Sequence, residues 1–370
     1  MTDRPRLTQL AALLPATVPF VGPETQERMR ERLFRARLGA NENGFGASPK
    51  VAAAIAAAAG DMWMYCDPEN HELKSLLARH HGVGADNVVV GEGIDGLLGL
   101  AVRLFVEPGR PVVSSIGAYP TFNFHVAGFG GRLVTVPYRN DREDLEALAA
   151  AAQRENAAMV YLANPDNPMG TWWDASDVEH FIEALPETTM LVLDEAYSEM
   201  APPSAIPPLR VSRPNVLRMR TFSKAYGLAG LRCGYAIGES EAIRAFDKVR
   251  NHFGVTRMSQ VAAAAALRDQ DWLGRTLARI TRSRSLIERI AGDNGLACVP
   301  SATNFVTIDC GGDGTFALKV MQALIARDVF VRKPIAPGLD RCVRVSTGPD
   351  NEIDFFGAEL PNALAEARSA

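Results

Sequence analysis

Through the middle of the chain, short runs that are apolar at every position alternate with stretches whose apolar residues recur at helical spacing. "NVVVGEG" leads into "IDGLLGLAVRLF", "PVVSSIG" into "AYPTFNFHVAGF", and "RLVTVPY" into "DLEALAAAAQRE"; "AAMVYLANP" precedes "DVEHFIEAL", and "TMLVLDEAY" follows. A strand without polar alternation is buried on both faces, and helices between such strands supply the two covering layers. The pattern predicts an α/β domain built on a mostly parallel sheet. Upstream, "VAAAIAAAAG" reads as a helix opened by Ser48 as N-cap with Pro49 in its first turn.

The rhythm changes after "NVLRMRTFSK". A long helical region is predicted from about Arg244 through "QVAAAAALRDQDWLGRTLARITRSRSLIERIAG", interrupted near Gly254. A strand at "ATNFVTIDC", a helix at "TFALKVMQALIARD", further strands at "VFVRKP" and "CVRVSTG" and a terminal helix complete the chain. Fewer strands with longer helices predict a second, smaller α+β domain, with the boundary near residue 265.

Composition narrows the class. At 370 residues and 47% apolar, the chain can bury a large core. A net charge of -4 with interspersed signs favours neither nucleic acid nor an anionic membrane as a partner. The most basic stretch, "ERMRERLFRAR", reads as a solvated helix face. Cys66, Cys233, Cys298, Cys310 and Cys342 lack metal or disulfide spacing and are expected as reduced thiols of a cytoplasmic protein. The apolar stretch in "MTDRPRLTQLAALLPATVPF" is too short for a signal peptide, and no run approaches the ~20 apolar residues that cross a bilayer.

In open α/β sheets ligands collect beyond the carboxyl ends of the strands, so polar groups that follow apolar runs are the candidates for chemistry. In "VVVGEGIDG" the free N–H groups of Ile94, Asp95 and Gly96 can hold a phosphate at a helix start, although plain strand-to-helix geometry gives the same string. Asp194 in "MLVLDEAY" calls for a positive or hydrogen-bonding partner; a capping role, or metal ligation with Glu195, are the alternatives. Asn167 in "ANPDNPMG" offers an amide at another strand end. In "TFSKAYGLAGLRCG", burial and the nearby Arg232 favour a neutral Lys224 that condenses with an aldehyde, whereas a lysine snorkelling from a strand end is the ordinary reading. Thr221, Ser223 and Arg232 are suited to a phosphate dianion. Pyridoxal 5'-phosphate answers all of these: an aldehyde for Lys224, a phosphate, a ring nitrogen for Asp194, a phenolic oxygen for Asn167 and Tyr197, and a ring face for Tyr119.

These motifs, in this order, resemble the class I/II aminotransferases of the aspartate aminotransferase fold (fold type I), and most closely the histidinol-phosphate aminotransferase branch, from about "LGANENGFGASP" to the C-terminus. The resemblance implies a seven-stranded type of sheet in a large domain over 41–265, a small domain over 266–370, and an N-terminal arm over 1–40 that packs on the small domain and a dimer partner. It implies Lys224, Asp194 and Tyr197 as catalytic residues. It also implies a homodimer in which Tyr65 crosses to the partner's cofactor phosphate; unaided, Tyr65 reads as an interface or core aromatic. Arg344 in "VRVSTG" would clamp a substrate carboxylate, and Arg332 in "VRKP" a substrate phosphate; a strand salt bridge and a surface ion pair are their ordinary readings. Asn41 would lie at the substrate entrance, with Asn304 in support. The sequence departs from the branch at Gly96, Met169, "GAY" and Phe20. Phe20 stands where the branch carries a phosphate-holding tyrosine, and a phenyl ring donates no hydrogen bond, so aromatic or other hydrophobic amino acids compete as substrates. The activity implied is ping-pong transfer of an amino group from histidinol phosphate or such an amino acid to a 2-oxo acid. Decarboxylation of the threonine-phosphate decarboxylase type and a non-catalytic cofactor-binding regulatory module are the rivals.

Overall fold

The computed structural model describes residues 6–16 and 21–369. Its strands are β1 Ala36–Arg37, β2 Val88–Gly91, β3 Pro111–Ser115, β4 Arg132–Val136, β5 Met159–Ala163, β6 Met190–Asp194, β7 Val216–Thr221, β8 Gly234–Ile237, β9 Ala297–Val299, β10 Phe305–Asp309, β11 Val329–Phe330 and β12 Cys342–Ser346. The main sheet has 7 strands in the order β2-β8-β7-β6-β5-β3-β4. All neighbours run parallel except β8, which is antiparallel to both β2 and β7.

The strand period divides the core in two. Met159 and Tyr161 of β5, with Met190 and Val192 of β6, pack under the helices Gly93–Phe105 and Pro120–Gly128. The intervening Val160, Leu162, Leu191 and Leu193 point the other way, against the helices Leu145–Glu155 and Ala175–Ala184. That is why these strands read as unbroken apolar runs. Burying each such side chain contributes about 1.5–3 kcal/mol relative to exposure.

A second core gathers around the antiparallel sheet β12-β10-β9 and the helices Gly314–Ala326 and Asp350–Ser369. The helix Gln270–Asp293 gives Leu273 and Ile280 to a further cluster with Val88 and Val90 of β2 and Tyr235 of β8, and Ile287 and Ala291 to the second core. Strand β1 pairs in parallel with β11, so Ala36 and Leu38 join this second core although they precede the main sheet in sequence.

Local structure departs from the sequence pattern in two places. The helical region after Arg244 is divided into Ser240–Ala245, Arg257–Arg268 and Gln270–Asp293. In the first gap Gly254 lies against the Glu92 carboxyl, which a Cβ there would have to displace, and the Thr256 hydroxyl caps the next helix by accepting from Ser259 N at 3.2 Å. The basic stretch is not a solvated helix face. Its helix, Pro23–Arg30, ends at Glu31 in the left-handed region (φ 54°), and the chain then docks. Phe34 is buried against Phe330, Arg35 covers Phe355, Arg30 and Arg32 pair with Asp328, and Arg37 pairs with Glu24. Among the described residues no helix is long and apolar enough to cross a membrane.

Candidate active site

The carboxyl ends of β5, β6 and β7 and the helix start after β2 converge on a cavity of about 260 Å³. It is lined at one end by Ile94, Asp95, Thr221, Ser223 and Arg232. Gly96 lies further along the same first turn and does not line the cavity. Gly93 has a φ of +79°, and a Cβ there would meet the Arg232 guanidinium at 2.7 Å, so the arginine lies directly against the helix start. Arg232 is itself left-handed (φ 49°); its Nη1 donates to Ala229 O at 3.1 Å and Ser223 Oγ at 3.4 Å. Thr221 ends β7 and Ser223 follows in the bend; Thr221 Oγ1 accepts from Ser223 N at 3.0 Å. Hydroxyls, a guanidinium and free helix-start N–H groups meeting at one point form an anion cradle.

At the opposite end Asp194 is buried. Tyr161 Oη donates to its Oδ2 at 2.7 Å and Ala196 N to its Oδ1 at 2.9 Å. Among the described residues no lysine, arginine or histidine forms an ion pair with it. Burial therefore pushes its pKa up to about 6, against the lowering effect of these hydrogen bonds. Glu195 does not join it as a metal ligand, because consecutive strand residues face opposite ways. Burial drives the Glu195 pKa upward, but Arg220 and Arg218 outweigh it and hold the carboxyl below its ordinary range.

Lys224 is half-buried, and its Nζ donates to Asn41 O at 3.0 Å. Desolvation, reinforced by the Arg344 and Arg232 cations, lowers its pKa to about 8. Asn41 (φ 53°) also donates from Nδ2 to Tyr197 Oη at 3.1 Å, while Asn304 Nδ2 supports the Asn41 carbonyl at 3.0 Å. Burial raises the Tyr197 pKa, so that side chain stays a neutral phenol. Tyr119 and Asn167 line this cavity and an adjoining cleft of about 650 Å³, which Arg332 and Arg344 also line. Arg344 Nη1 donates to Asn167 Oδ1, its Nε is buried without a partner, and desolvation lowers its pKa to about 10. Arg332 Nη2 donates to Val21 O at 2.8 Å.

The candidate residues thus meet, with three exceptions: Gly96 is set back, Tyr65 is exposed away from the cavity beside Phe253, and Phe20 lies outside the described residues. A second rank of polar groups behind the cavity is not legible from local sequence pattern. Tyr161 holds Asp194, and Glu143 accepts from Ser115 Oγ and from Ala163 N at 2.5 and 2.9 Å. Asp166, its pKa raised to about 7 by burial, accepts from Tyr138 Oη at 2.8 Å. A tyrosine inside an apolar run looks like core, and only its hydroxyl's need for a partner could have flagged Tyr161.

A lysine of lowered pKa, an anion cradle and a buried acid at the strand ends of this sheet define a class: fold type I pyridoxal-phosphate enzymes. The model of the family "Aminotransferase class I and II" matches residues 36–356, and the chain belongs to that family. It is similar to the crystal structure of histidinol-phosphate aminotransferase from Sinorhizobium meliloti in complex with pyridoxal-5'-phosphate, at 57% identity and a TM-score of 0.95 over 97% of this chain and 98% of that one. It is also 34% identical to histidinol-phosphate aminotransferase of Moorella thermoacetica, over 94% of this chain and 91% of the relative. A third likeness, to aspartate aminotransferase from Thermus thermophilus with maleate, has a TM-score of 0.81 at 22% identity over 99% of this chain and 100% of that one, and concerns the fold. The protein is therefore a pyridoxal-phosphate-dependent aminotransferase acting on amino acid and 2-oxo acid substrates. The decarboxylase and regulatory-module readings are not favoured.

Proposed function

We propose that the amino donor is histidinol phosphate and the acceptor a 2-oxo acid. The carrying observation is the substrate cleft: Arg332 and Arg344 line it together, and no aspartate or glutamate does among the described residues. Two guanidinium groups suit one phosphate and one carboxylate, each held bidentately. The names of the relatives from Sinorhizobium meliloti and Moorella thermoacetica support the same donor. Exposed Ile116 and Ile335 in the cleft favour an aromatic or hydrophobic amino acid as the second reading. The test compares purified enzyme on histidinol phosphate, phenylalanine, tyrosine and leucine with 2-oxoglutarate, reading glutamate formed. The expected result is a kcat/KM for histidinol phosphate more than about tenfold above the rest, about 1.4 kcal/mol in transition-state binding. A higher value for any of the amino acids overturns the proposal.

The residues fit the cofactor on their own chemistry: a buried acid with no ion-pair partner among the described residues, an anion cradle, and a lysine already half neutral near pH 8. When bound, pyridoxal phosphate supplies an aldehyde that captures amines and a ring that accepts the electron pair left when the substrate's carbon–hydrogen bond breaks. Thr221, Ser223, Arg232 and the N–H groups of Ile94 and Asp95 would hold the phosphate, with Gly96 set back from it, and Tyr119 would cover the ring face. Asp194 would hold a proton on the ring nitrogen, and Asn167 and Tyr197 would donate to the phenolic oxygen. Lys224 would be the amine that holds the cofactor and, when free, the group that moves a proton away from the substrate carbon, as base first and as acid afterwards. Arg344 fixes the carboxylate of the 2-oxo acid, Arg332 the phosphate of the donor, and Asn41 orients Tyr197 at the entrance.

The working unit in this proposal is a homodimer with Tyr65 reaching the partner's phosphate cradle; the support is its exposure next to exposed Met62, Trp63 and Phe253. Residues 41–265 are read as the cofactor domain, 266–370 as the small domain and 1–40 as an arm; the core around β12-β10-β9, which takes in Ala36 and Leu38, supports the small domain and the arm packed on it, whereas Ala266, Leu267, Leu273 and Ile280 pack with residues of the cofactor domain. Cytoplasmic residence is supported by the five cysteines, all free thiols.

A further inference from the structure

Tyr161 is fully buried in β5, opposite Val192 of β6, and lines the cofactor cavity. Its hydroxyl is spent on a single carboxylate oxygen, Asp194 Oδ2, at 2.7 Å. Its ring is stacked on Phe122, with centroids 4.7 Å apart and planes at 22°. Phe122 belongs to the helix that begins directly after Tyr119, so the residue read as covering the cofactor and the residue gripping the acid share one support. With Ala196 N donating to Oδ1 at 2.9 Å, the carboxylate plane of Asp194 is fixed from both sides.

We propose that Tyr161 is a positioning residue for the transfer reaction: its hydrogen bond withdraws charge from Asp194, so that the proton shared by this acid and the cofactor's ring nitrogen stays on the nitrogen. The proposal rests on the reading that Asp194 faces that nitrogen. A carboxylate without this donor is more basic and competes better for the shared proton. The other charged or titratable groups around Asp194 are Glu195 beside it, Lys224 and Tyr197 across the cavity, Glu143 and Asp166 beneath, and Tyr119. Glu195 is spent on Arg218 and Arg220, and the Tyr161 hydroxyl is the only side-chain donor to Asp194 among the described residues. Burial raises the pKa of Tyr161 well above that of an ordinary phenol, so it remains a donor throughout the working range.

The test is nitrogen-15 NMR of the holoenzyme reconstituted with ring-labelled pyridoxal phosphate, which reads ring-nitrogen protonation independently of activity. The wild-type signal is expected at the protonated position. Tyr161→Phe is expected to move it towards the unprotonated position and to lower kcat about tenfold with KM little changed, the loss of one charge-assisted hydrogen bond. A Tyr161→Phe signal that coincides with wild type overturns the proposal even if stability falls. If that variant does not fold, Phe122→Leu, which releases the ring but keeps the hydroxyl, must shift the signal in the same direction, and an unmoved signal refutes the role. A wild-type signal at the unprotonated position instead refutes the reading of Asp194 itself, so the two failures are told apart.

Discussion

Burial acts on Lys224 and Asp194 in opposite directions, because in each it disfavours the charged form. For the lysine, desolvation is joined by repulsion from Arg344 and Arg232, and the pKa falls from 10.5 to about 8. The amine is thus available at a pH where a solvent-exposed lysine is almost wholly protonated. Capture of the aldehyde by cofactor-free protein should accelerate as pH rises, with a midpoint near 8 rather than 10.5. Arg344→Gln removes a neighbouring cation and should move that midpoint upward; stopped-flow absorbance across the pH range measures both. A midpoint unchanged by the substitution would show that burial alone sets the lysine. The lowered pKa also has a stability consequence. Between about pH 8 and 10.5 the unfolded chain binds more protons at this lysine than the folded chain does, so its contribution to stability improves as pH rises through that window.

At the scale of elements, the site depends on β6 and β7 ending side by side. Glu195 staples them: Arg218 Nε and Arg220 Nε both donate to its Oε2, at 3.0 and 2.9 Å, on the sheet face away from the cavity. Asp194 lies one residue before the staple and Thr221 one residue after it. Glu195→Gln leaves two guanidinium groups short of a counter-charge and should cost about 3–5 kcal/mol in urea unfolding; a loss below about 1 kcal/mol would mean that the strands are held by packing alone. The parts of the site that follow apolar runs were legible in the sequence, since a polar residue at a strand end is conspicuous: Asn167, Asp194, Thr221, Ser223 and Lys224 all stood out. Strand β8 did not, because "GYAI" is short and follows a glycine-rich stretch that reads as loop. Nor did β1, whose pairing with β11 joins segments from opposite ends of the sequence. Tyr161 and Glu143 escaped for a third reason: their roles consist of partners on other strands, which no local pattern encodes.

At the scale of the whole molecule, the single chain leaves a conspicuous apolar patch uncovered. Trp63 is 83% and Tyr65 81% exposed, with Met62 and Phe253 alongside. A contiguous exposed patch of this kind marks an interaction surface, and the proposed homodimer covers it. Sedimentation velocity should therefore give a dimer, and Trp63→Asp a monomer that binds pyridoxal phosphate more weakly; a wild-type monomer with full activity would remove Tyr65 from the site. The proposed activity requires covalent attachment of the cofactor at Lys224. Borohydride reduction of the holo-protein followed by peptide mass mapping tests it most directly. The predicted result is one modified peptide, carrying a phosphopyridoxyl group on Lys224 and absent from Lys224→Ala; an unmodified Lys224 in coloured, reduced protein would contradict it.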